Sequence, residues 1–391
     1  MEFGKVMENK QKILFLATTA SMIEQFNMHN IKILQSLGAE VHVGTNFIKP
    51  GTITSDKSNK LVKKLKDLNV RVHQIDFSRG IGTPRINRIA LKQVCNIVEN
   101  YKITGIHAHS PLGGIIGRRA AHRMHKKIIY TAHGLQFFKG GPIKDWLLFF
   151  PVEWFYAHWT DALITINTDD YRISRFLPAK TKYYIPGVGI DIKRVKKIPI
   201  ENRFLLREKF RKQNKLSAND YLIISVGELS KRKNHSTVIK AIHKLNDPTI
   251  HYMIAGIGIE KENLSALIKH YNLENNVKLL GYVDDLDSLY FGSDLNIFLS
   301  KREGLGIAGI DGIAHGVYTI GNARTGMKDY ISTPDLGLLL KSPTNINDLA
   351  KTIKTVKNQQ LHAKRSSKID KFDHTNIDKI MKEIYIKEFF S

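Results

Sequence analysis

Apolar positions along this chain fall into short runs separated by helically spaced stretches, in an order that repeats. Residues 12–17, with the apolar run Ile13 to Ala17, predict a buried first strand, and Thr18-Thr19-Ala20-Ser21 follows as a small-residue turn. Met22 to Leu37 has the apolar spacing of a helix ended by Gly38, and Val41-His42-Val43-Gly44 reads as a second strand. Val70 to Ile75 alternates in character and predicts another strand, Ile86 to Tyr101 an amphipathic helix, and Ile103 to Ala108 a strand. Ile128 to Ala132, Ala162 to Ile166 and Lys182 to Pro186 continue the series. The alternation starts afresh at Tyr221 to Val226, with a helix from His235 to Leu245 and strands at His251 to Ala255, Val277 to Leu280, Leu295 to Leu299 and Val317 to Gly321. Strand and helix in this order predict parallel sheets covered on both faces, an α/β protein. The basic run Lys193-Arg194-Val195-Lys196-Lys197 before Pro199 marks the expected boundary. The expected domains are 1–190 and 191–372, with a C-terminal helix in 373–391 that is free to cross back to the first.

Composition narrows the class. A chain of 391 residues suffices for two α/β cores, and 42% hydrophobic with 25% charged residues is globular rather than disordered. One cysteine, Cys95, excludes an intramolecular disulfide framework and a cysteine zinc cluster, which points to a reducing, cytoplasmic setting. The run Ile13 to Ala17 is short for a signal peptide and no small-x-small cleavage site follows it. No stretch reaches the roughly 20 apolar residues of a spanning helix.

Charge adds a second constraint. The net charge of +24 is concentrated in residues 1–200. Nucleic acid, an anionic membrane surface or a phosphorylated substrate would each suit such an excess, and a lysine-rich proteome would contribute to it. All three tryptophans lie between residues 146 and 159, among Phe149, Phe150, Phe155 and Tyr156. That density fits an interfacial patch dipping into headgroups and fits a long core helix equally.

The chemistry concentrates at Ser300-Lys301-Arg302-Glu303-Gly304-Leu305-Gly306, between an apolar strand and a helix carrying Asp311. A glycine-loosened turn at a helix N-terminus offers N–H donors to an anion, while Glu303 offers acceptors to hydroxyls. His133-Gly134 stands at the carboxyl end of a strand, the edge where open α/β sheets bind ligands. His107 and His109 point the same way along their strand, but with no third ligand nearby they read as strand-end histidines. Two glycine clusters, Gly113-Gly114-Ile115-Ile116-Gly117 and Gly256-Ile257-Gly258, each break the dinucleotide fingerprint, at Leu112 and at Lys261. Asp285-Leu286-Asp287 matches a metal-holding motif of some transferases, yet at a helix start these aspartates read as caps.

Taken together, Tyr130-Thr131-Ala132-His133-Gly134, Tyr184-Ile185-Pro186-Gly187-Val188-Gly189-Ile190-Asp191, Gly227-Glu228-Leu229 with Lys233-Asn234-His235, and Arg302-Glu303-Gly304-Leu305-Gly306 resemble glycosyltransferase family 4. Within it they are similar to the bacterial subgroup that builds capsule, exopolysaccharide and lipid-linked glycans. The resemblance implies GT-B architecture, two Rossmann-like α/β domains facing across a cleft. It implies a retaining, metal-independent hexosyltransferase with no cofactor, taking a UDP-sugar donor and a lipid-linked or oligosaccharide acceptor. It also implies His133, Glu303 and Lys233 as the catalytic set. Donor binding would fall to Ser21, Gly227, Arg232, Lys233, Glu303, Gly304, Leu305, Gly306 and Asp311. Lys233 would meet the diphosphate, Glu303 the sugar hydroxyls, and Asp311 the ribose in place of the family's usual glutamate. Glu228 replaces an arginine of many members, so Lys231 or Arg232 would supply that charge. With the basic first half, these expectations place the protein on the inner face of the cell membrane. A nucleotide-sugar epimerase of the same fold and a basic nucleic-acid-binding protein are the competing readings; no aromatic RNA-binding signature is present.

Overall fold

The computed structural model describes residues 10–78, 80–364 and 366–391. Thirteen strands are found among them. The first seven are β1 (Lys12–Leu16), β2 (Glu40–Thr45), β3 (Arg71–Gln74), β4 (Gly105–His109), β5 (Lys127–Ala132), β6 (Ala162–Thr165) and β7 (Thr181–Tyr184). The other six are β8 (Tyr221–Val226), β9 (Ile250–Ala255), β10 (Val277–Gly281), β11 (Leu295–Phe298), β12 (Tyr318–Asn322) and β13 (Gly337–Leu340). They form two all-parallel sheets, ordered β3-β2-β1-β4-β5-β6-β7 and β10-β9-β8-β11-β12-β13. The chain divides accordingly into two compact units, one running to Val188 and taking in Thr375–Ser391, the other Gly189–His374.

Burial follows the pattern of apolar runs. Ile13 to Leu16 on β1 are fully buried, as are Leu222 to Ile224 on β8, because helices cover both faces of each sheet. In the first unit, Leu14, Leu16, Ile106 and Ile128 pack with Val94, Val98 and Ile116 from the covering helices. In the second, Ile223, Ile254 and Ile297 pack with Val238, Ile242 and Ile353.

Two elements differ from their expected form. The stretch expected as one helix from Met22 to Leu37 is two, Ala20–Phe26 and Met28–Ser36, broken at Asn27. There the backbone leaves helical geometry (φ −123°, ψ −2°) while Nδ2 donates to the Met22 carbonyl at 3.0 Å. A side chain that bonds its own backbone competes with the helix in this way. The final helix, His374–Tyr385, continues into a wider turn at Ile386–Phe390 rather than as regular α-helix.

That last segment belongs to the first unit by its contacts. Tyr385 is fully buried beside His107, Glu388 accepts from Tyr183 Oη at 2.6 Å, and Phe389 lies against Gly105. A Cβ at Gly105 would stand 2.6 Å from the Phe389 ring, so this strand position accommodates only glycine beside that ring.

Candidate functional site

In the second unit β8 and β11 are neighbours, yet the chain leaves β8 toward β9 on one side and β12 lies beyond β11 on the other. Such a reversal leaves a crevice at the carboxyl ends of the two strands, where open sheets bind ligands. Residues 227–234 leave β8 at this edge and residues 299–306 leave β11. The two loops are joined by Lys301 N donating to the Arg232 carbonyl at 2.8 Å and Arg232 Nη1 donating to the Arg302 carbonyl at 3.1 Å. Close approach also fixes the root of the first loop: a Cβ at Gly256 would fall 1.9 Å from the Gly227 carbonyl oxygen.

Glu303 is the centre of the arrangement. Its Oε1 lies 2.7 Å from Lys233 Nζ and also accepts from Arg232. Burial by itself would raise this carboxyl, but Lys233 and Arg232 beside it hold it below the usual range and therefore ionised. Lys233 Nζ additionally sits 4.3 Å above the Phe298 ring at the end of β11, which orients the ammonium by cation–π attraction. Glu228 stands 3.8 Å from Arg232, so the second cation is shared between two carboxylates. Lys231 is exposed.

The turn after Glu303 hands the chain to a helix, Ile307–Ala314. Gly306 takes a left-handed conformation (φ +80°) as its N-cap, with no side-chain cap and no acidic residue in the first turn. Tyr330 Oη donates to the Gly306 carbonyl at 2.8 Å and holds the turn in place. Leu305 is buried, so at that position only backbone can meet a ligand. Asp311 lies further along the same helix, and burial pushes its carboxyl up to about 6.

The structure separates the two aspartates of the candidate metal motif. Asp285 caps the helix Leu286–Gly292, accepting from Ser288 N at 3.0 Å. Asp287 is held by Arg194 at 2.7 and 3.0 Å and accepts from His315 Nε2 at 3.0 Å. It is therefore part of an ion-paired knot rather than a second member of a chelating pair.

His133 and Ser21 lie in the first unit. The sheet order reverses between β1 and β4, and Thr18 N after β1 donates to Ser110 Oγ after β4 at 3.3 Å. Ser21 is buried, with its hydroxyl 3.1 Å from Thr19 Oγ1. His133 follows β5 and lies 3.0 Å from His109 across the ring nitrogens, while His107 and His109 pack at 4.1 Å. Sequence reasoning did not connect His109 with His133, because adjacency of β4 and β5 is set by the sheet, not by spacing along the chain. The same holds for Phe298 under Lys233.

The tryptophan-rich helix, Ile143–Ala157, proves to have two apolar faces. Trp146, Phe149 and Phe150 pack on the first unit's core, while Ile143, Leu147, Leu148, Val152, Trp154 and Phe155 are exposed. His122, on the basic neighbouring helix, stacks on Trp159 just beyond its end at 4.3 Å. Among the described residues no helix is long and apolar enough to cross a membrane.

Comparison with known proteins gives the class. Residues 12–167 match the family model described as glycosyl transferase 4-like, and residues 207–371 the model described as glycosyl transferases group 1. EpsD of Bacillus subtilis, named as a glycosyltransferase, is 29% identical over 339 residues, 85% of this chain and 84% of its own. WclY of Escherichia coli, an O-antigen biosynthesis glycosyltransferase, is 28% identical over 310 residues, 77% of this chain and 75% of its own. A second Escherichia coli relative, UDP-Gal:alpha-D-GlcNAc-diphosphoundecaprenol alpha-1,3-galactosyltransferase, is 27% identical over 294 residues, 70% of this chain and 73% of its own. Among solved structures, Anabaena HepE, in complex with UDP and glucose, has a TM-score of 0.76 at 19% identity, covering 96% of this chain and 100% of its own. These likenesses support a glycosyltransferase of GT-B architecture. Its sequence relatives are glycosyltransferases of bacterial polysaccharide and lipid-linked glycan synthesis.

Proposed function

We propose that this protein is a retaining, family 4 glycosyltransferase that moves a hexose or N-acetylhexosamine from a UDP-sugar to a polyprenyl-diphosphate-linked sugar. The observation that carries the reading is the Glu303–Lys233–Arg232 cluster at the sheet reversal of the second unit. Departure of a nucleoside diphosphate builds negative charge, which preorganised cations and helix N–H groups stabilise. Lys233, Arg232 and the uncapped first turn after Gly306 are of that kind, so the reading calls for no metal. The Glu303 carboxylate, kept ionised, accepts hydrogen bonds from donor-sugar hydroxyls, and Asp311 does so from the ribose. Gly227 and Gly304 let backbone approach the diphosphate. His133 and Ser21 are the first unit's contributions to the donor. None of these groups is placed as a covalent nucleophile, and attack on the sugar face that UDP leaves accounts for retention, the departing phosphate taking the acceptor proton.

The acceptor side of the proposal is supported by the exposed face of Ile143–Ala157 and by the basic first half. An apolar helix face beside cationic side chains suits an anionic lipid surface, where a lipid-linked acceptor resides. The relative whose name gives UDP-Gal and a diphosphoundecaprenol acceptor favours the same pairing. A peripheral position on the inner face of the cell membrane follows from it.

The test is a panel of UDP-, GDP-, ADP- and dTDP-sugars, assayed for nucleotide release with and without a polyprenyl-diphosphate-sugar acceptor, with NMR of the product anomer. Acceptor-dependent UDP release and a retained anomer are expected. An inverted product, an epimerised sugar formed without acceptor, or no turnover of any UDP-sugar would each overturn the assignment.

A further inference from the structure

We propose that His109 is the positioning residue of His133, fixing it as the Nδ1–H tautomer so that it presents an N–H donor to the donor sugar. The sugar contact rests on the function proposed above; the tautomer assignment stands on the histidine cluster alone.

His109 ends β4 and His133 follows β5, its sheet neighbour. His109 Nδ1 and His133 Nε2 are 3.0 Å apart, so between two neutral rings one nitrogen donates and the other accepts. Both rings are neutral near pH 7: burial pulls His133 down to about 4 and His109 well below its ordinary value. Two arrangements remain, and the far nitrogen of His109 chooses between them. His109 Nε2 is buried and has no hydrogen-bond partner among the described residues. A proton there would be an orphaned N–H, which is rarer in protein interiors than an under-used acceptor. The His109 proton is therefore on Nδ1 and is donated to His133 Nε2. His133, being neutral, carries its own proton on Nδ1. His133 is only partly buried, and Nδ1 is the ring nitrogen not engaged by His109.

The arrangement is braced from behind. Phe15 stacks on His109 with rings 5.7 Å apart and 12° from parallel, and His107 packs against it at 4.1 Å. His107 cannot turn, because Nδ1 is 2.9 Å from Tyr385 Oη and Nε2 is 2.8 Å from Thr131 Oγ1. Which nitrogen of a histidine is protonated is set by what the other one bonds, and here that choice is made within the sheet.

The test uses the full chain with ring-15N histidine, reading protonated and bare ring nitrogens of His133 by two-bond proton–nitrogen correlation. His133 is assigned by the signal lost in His133→Gln. Wild type is expected to show His133 with Nδ1 protonated and Nε2 bare. His109→Leu should mix the two tautomers and lower kcat about tenfold, the size of one neutral hydrogen bond, with a smaller change in donor KM. His109→Asn, which keeps an amide donor on the same side chain stem, should retain the wild-type pattern and most of the turnover, and it reports even where His109→Leu does not fold. A wild-type His133 protonated on Nε2, or an unchanged His133 in His109→Leu, overturns the proposal. If the tautomer is as stated but wild type transfers no sugar from any donor, the transferase reading fails and the tautomer assignment stands.

Discussion

Each unit contains a partly or fully buried carboxylate held by guanidinium or ammonium groups, and the two are built for different ends. In the first unit Arg118 is fully buried in the helix Pro111–Arg123 and donates to both Glu153 oxygens, at 2.5 and 3.2 Å, and to the Gly114 carbonyl at 3.0 Å. Its guanidinium lies 4.2 Å over the Tyr130 ring. In the second unit the cations facing Glu303 come from a strand-end loop, and the Arg232 side chain is 42% exposed. With Glu228 counted beside Arg232, both clusters are neutral, so net charge does not distinguish them. Place in the topology does: one joins two helices over a strand residue, Tyr130, the other stands where the sheet order reverses. A buried pair between two helices holds the fold, whereas a cluster on loops at a reversal stands where a ligand can exchange for its internal bonds.

The contrast is broken most decisively through Arg118. Arg118→Met leaves Glu153 without its partner in a buried site and should cost about 3–5 kcal/mol of stability by denaturant unfolding. Arg118→Met with Glu153→Leu should recover most of that loss, because a packed apolar pair replaces the ion pair at little net cost. Turnover per folded molecule should stay near wild type in both. A folded Arg118→Met protein with much reduced turnover would show that this cluster, too, serves the site.

The opposite outcome is expected for Lys233→Ala and Glu303→Gln. Loss of one preorganised charge facing a developing charge lowers transfer by about 10²–10³-fold. Arg232→Ala, whose side chain is more exposed, should lose about tenfold or less, since solvent screens it. Melting shifts in all three should be smaller than in Arg118→Met. If Lys233→Ala melts as early as Arg118→Met and the folded fraction turns over normally, the cluster is structural.

Legibility in the sequence divides along the same line. Buried parallel strands are uninterrupted apolar runs, so β1, β5, β8 and β11 could be read directly; β13, four residues opening with Gly337, carries too little pattern and passed unnoticed. Glu303 was legible from a local pattern of turn and helix start, and Lys233 from the motif Lys233-Asn234-His235 that carries the family resemblance. Their pairing, the Phe298 ring under Lys233 and the His109–His133 contact were not, since neighbouring strand ends are brought together by sheet order. The break at Asn27 was hidden because apolar spacing continues through it. The tryptophan-rich helix packs one face on the core and exposes the other, and periodicity cannot assign a helix that is apolar nearly all round.

Asp311 sharpens the comparison at smaller scale, as a carboxylate of the second unit with no cation in hydrogen-bond contact among the described residues. Burial lifts it from 3.8 to about 6, so the folded protein keeps a proton that the unfolded chain loses between those values. Its ionisation therefore opposes folding: stability is greatest below the unfolded value and falls as pH rises through about 6. Asp311→Asn should stabilise the protein above pH 6 by up to about 3 kcal/mol and flatten that part of the stability profile. Donor KM should move the other way, rising several-fold in the variant and, in wild type, rising as pH falls through about 6. A wild-type donor KM that is flat across that range would remove Asp311 from the ribose.

The smallest effect concerns the exposed face of Ile143–Ala157, where Leu147 is 75% exposed while its neighbour Trp146 packs on the core. Leu147→Asp should leave melting unchanged, because little of that side chain is buried. Partial insertion of one leucine is worth about 1–2 kcal/mol, so binding to vesicles rich in anionic phosphatidylglycerol should weaken about tenfold. Trp146→Ala, on the inner face, should instead lower stability and leave vesicle affinity of the folded protein close to wild type. High salt should weaken the wild-type interaction as well, since the cationic flank contributes through screened attraction. Wild-type protein that ignores anionic vesicles at low salt, or a Leu147→Asp variant that binds them as tightly, would leave this face without a membrane role and detach the lipid-linked acceptor from the proposal while leaving the donor site untouched.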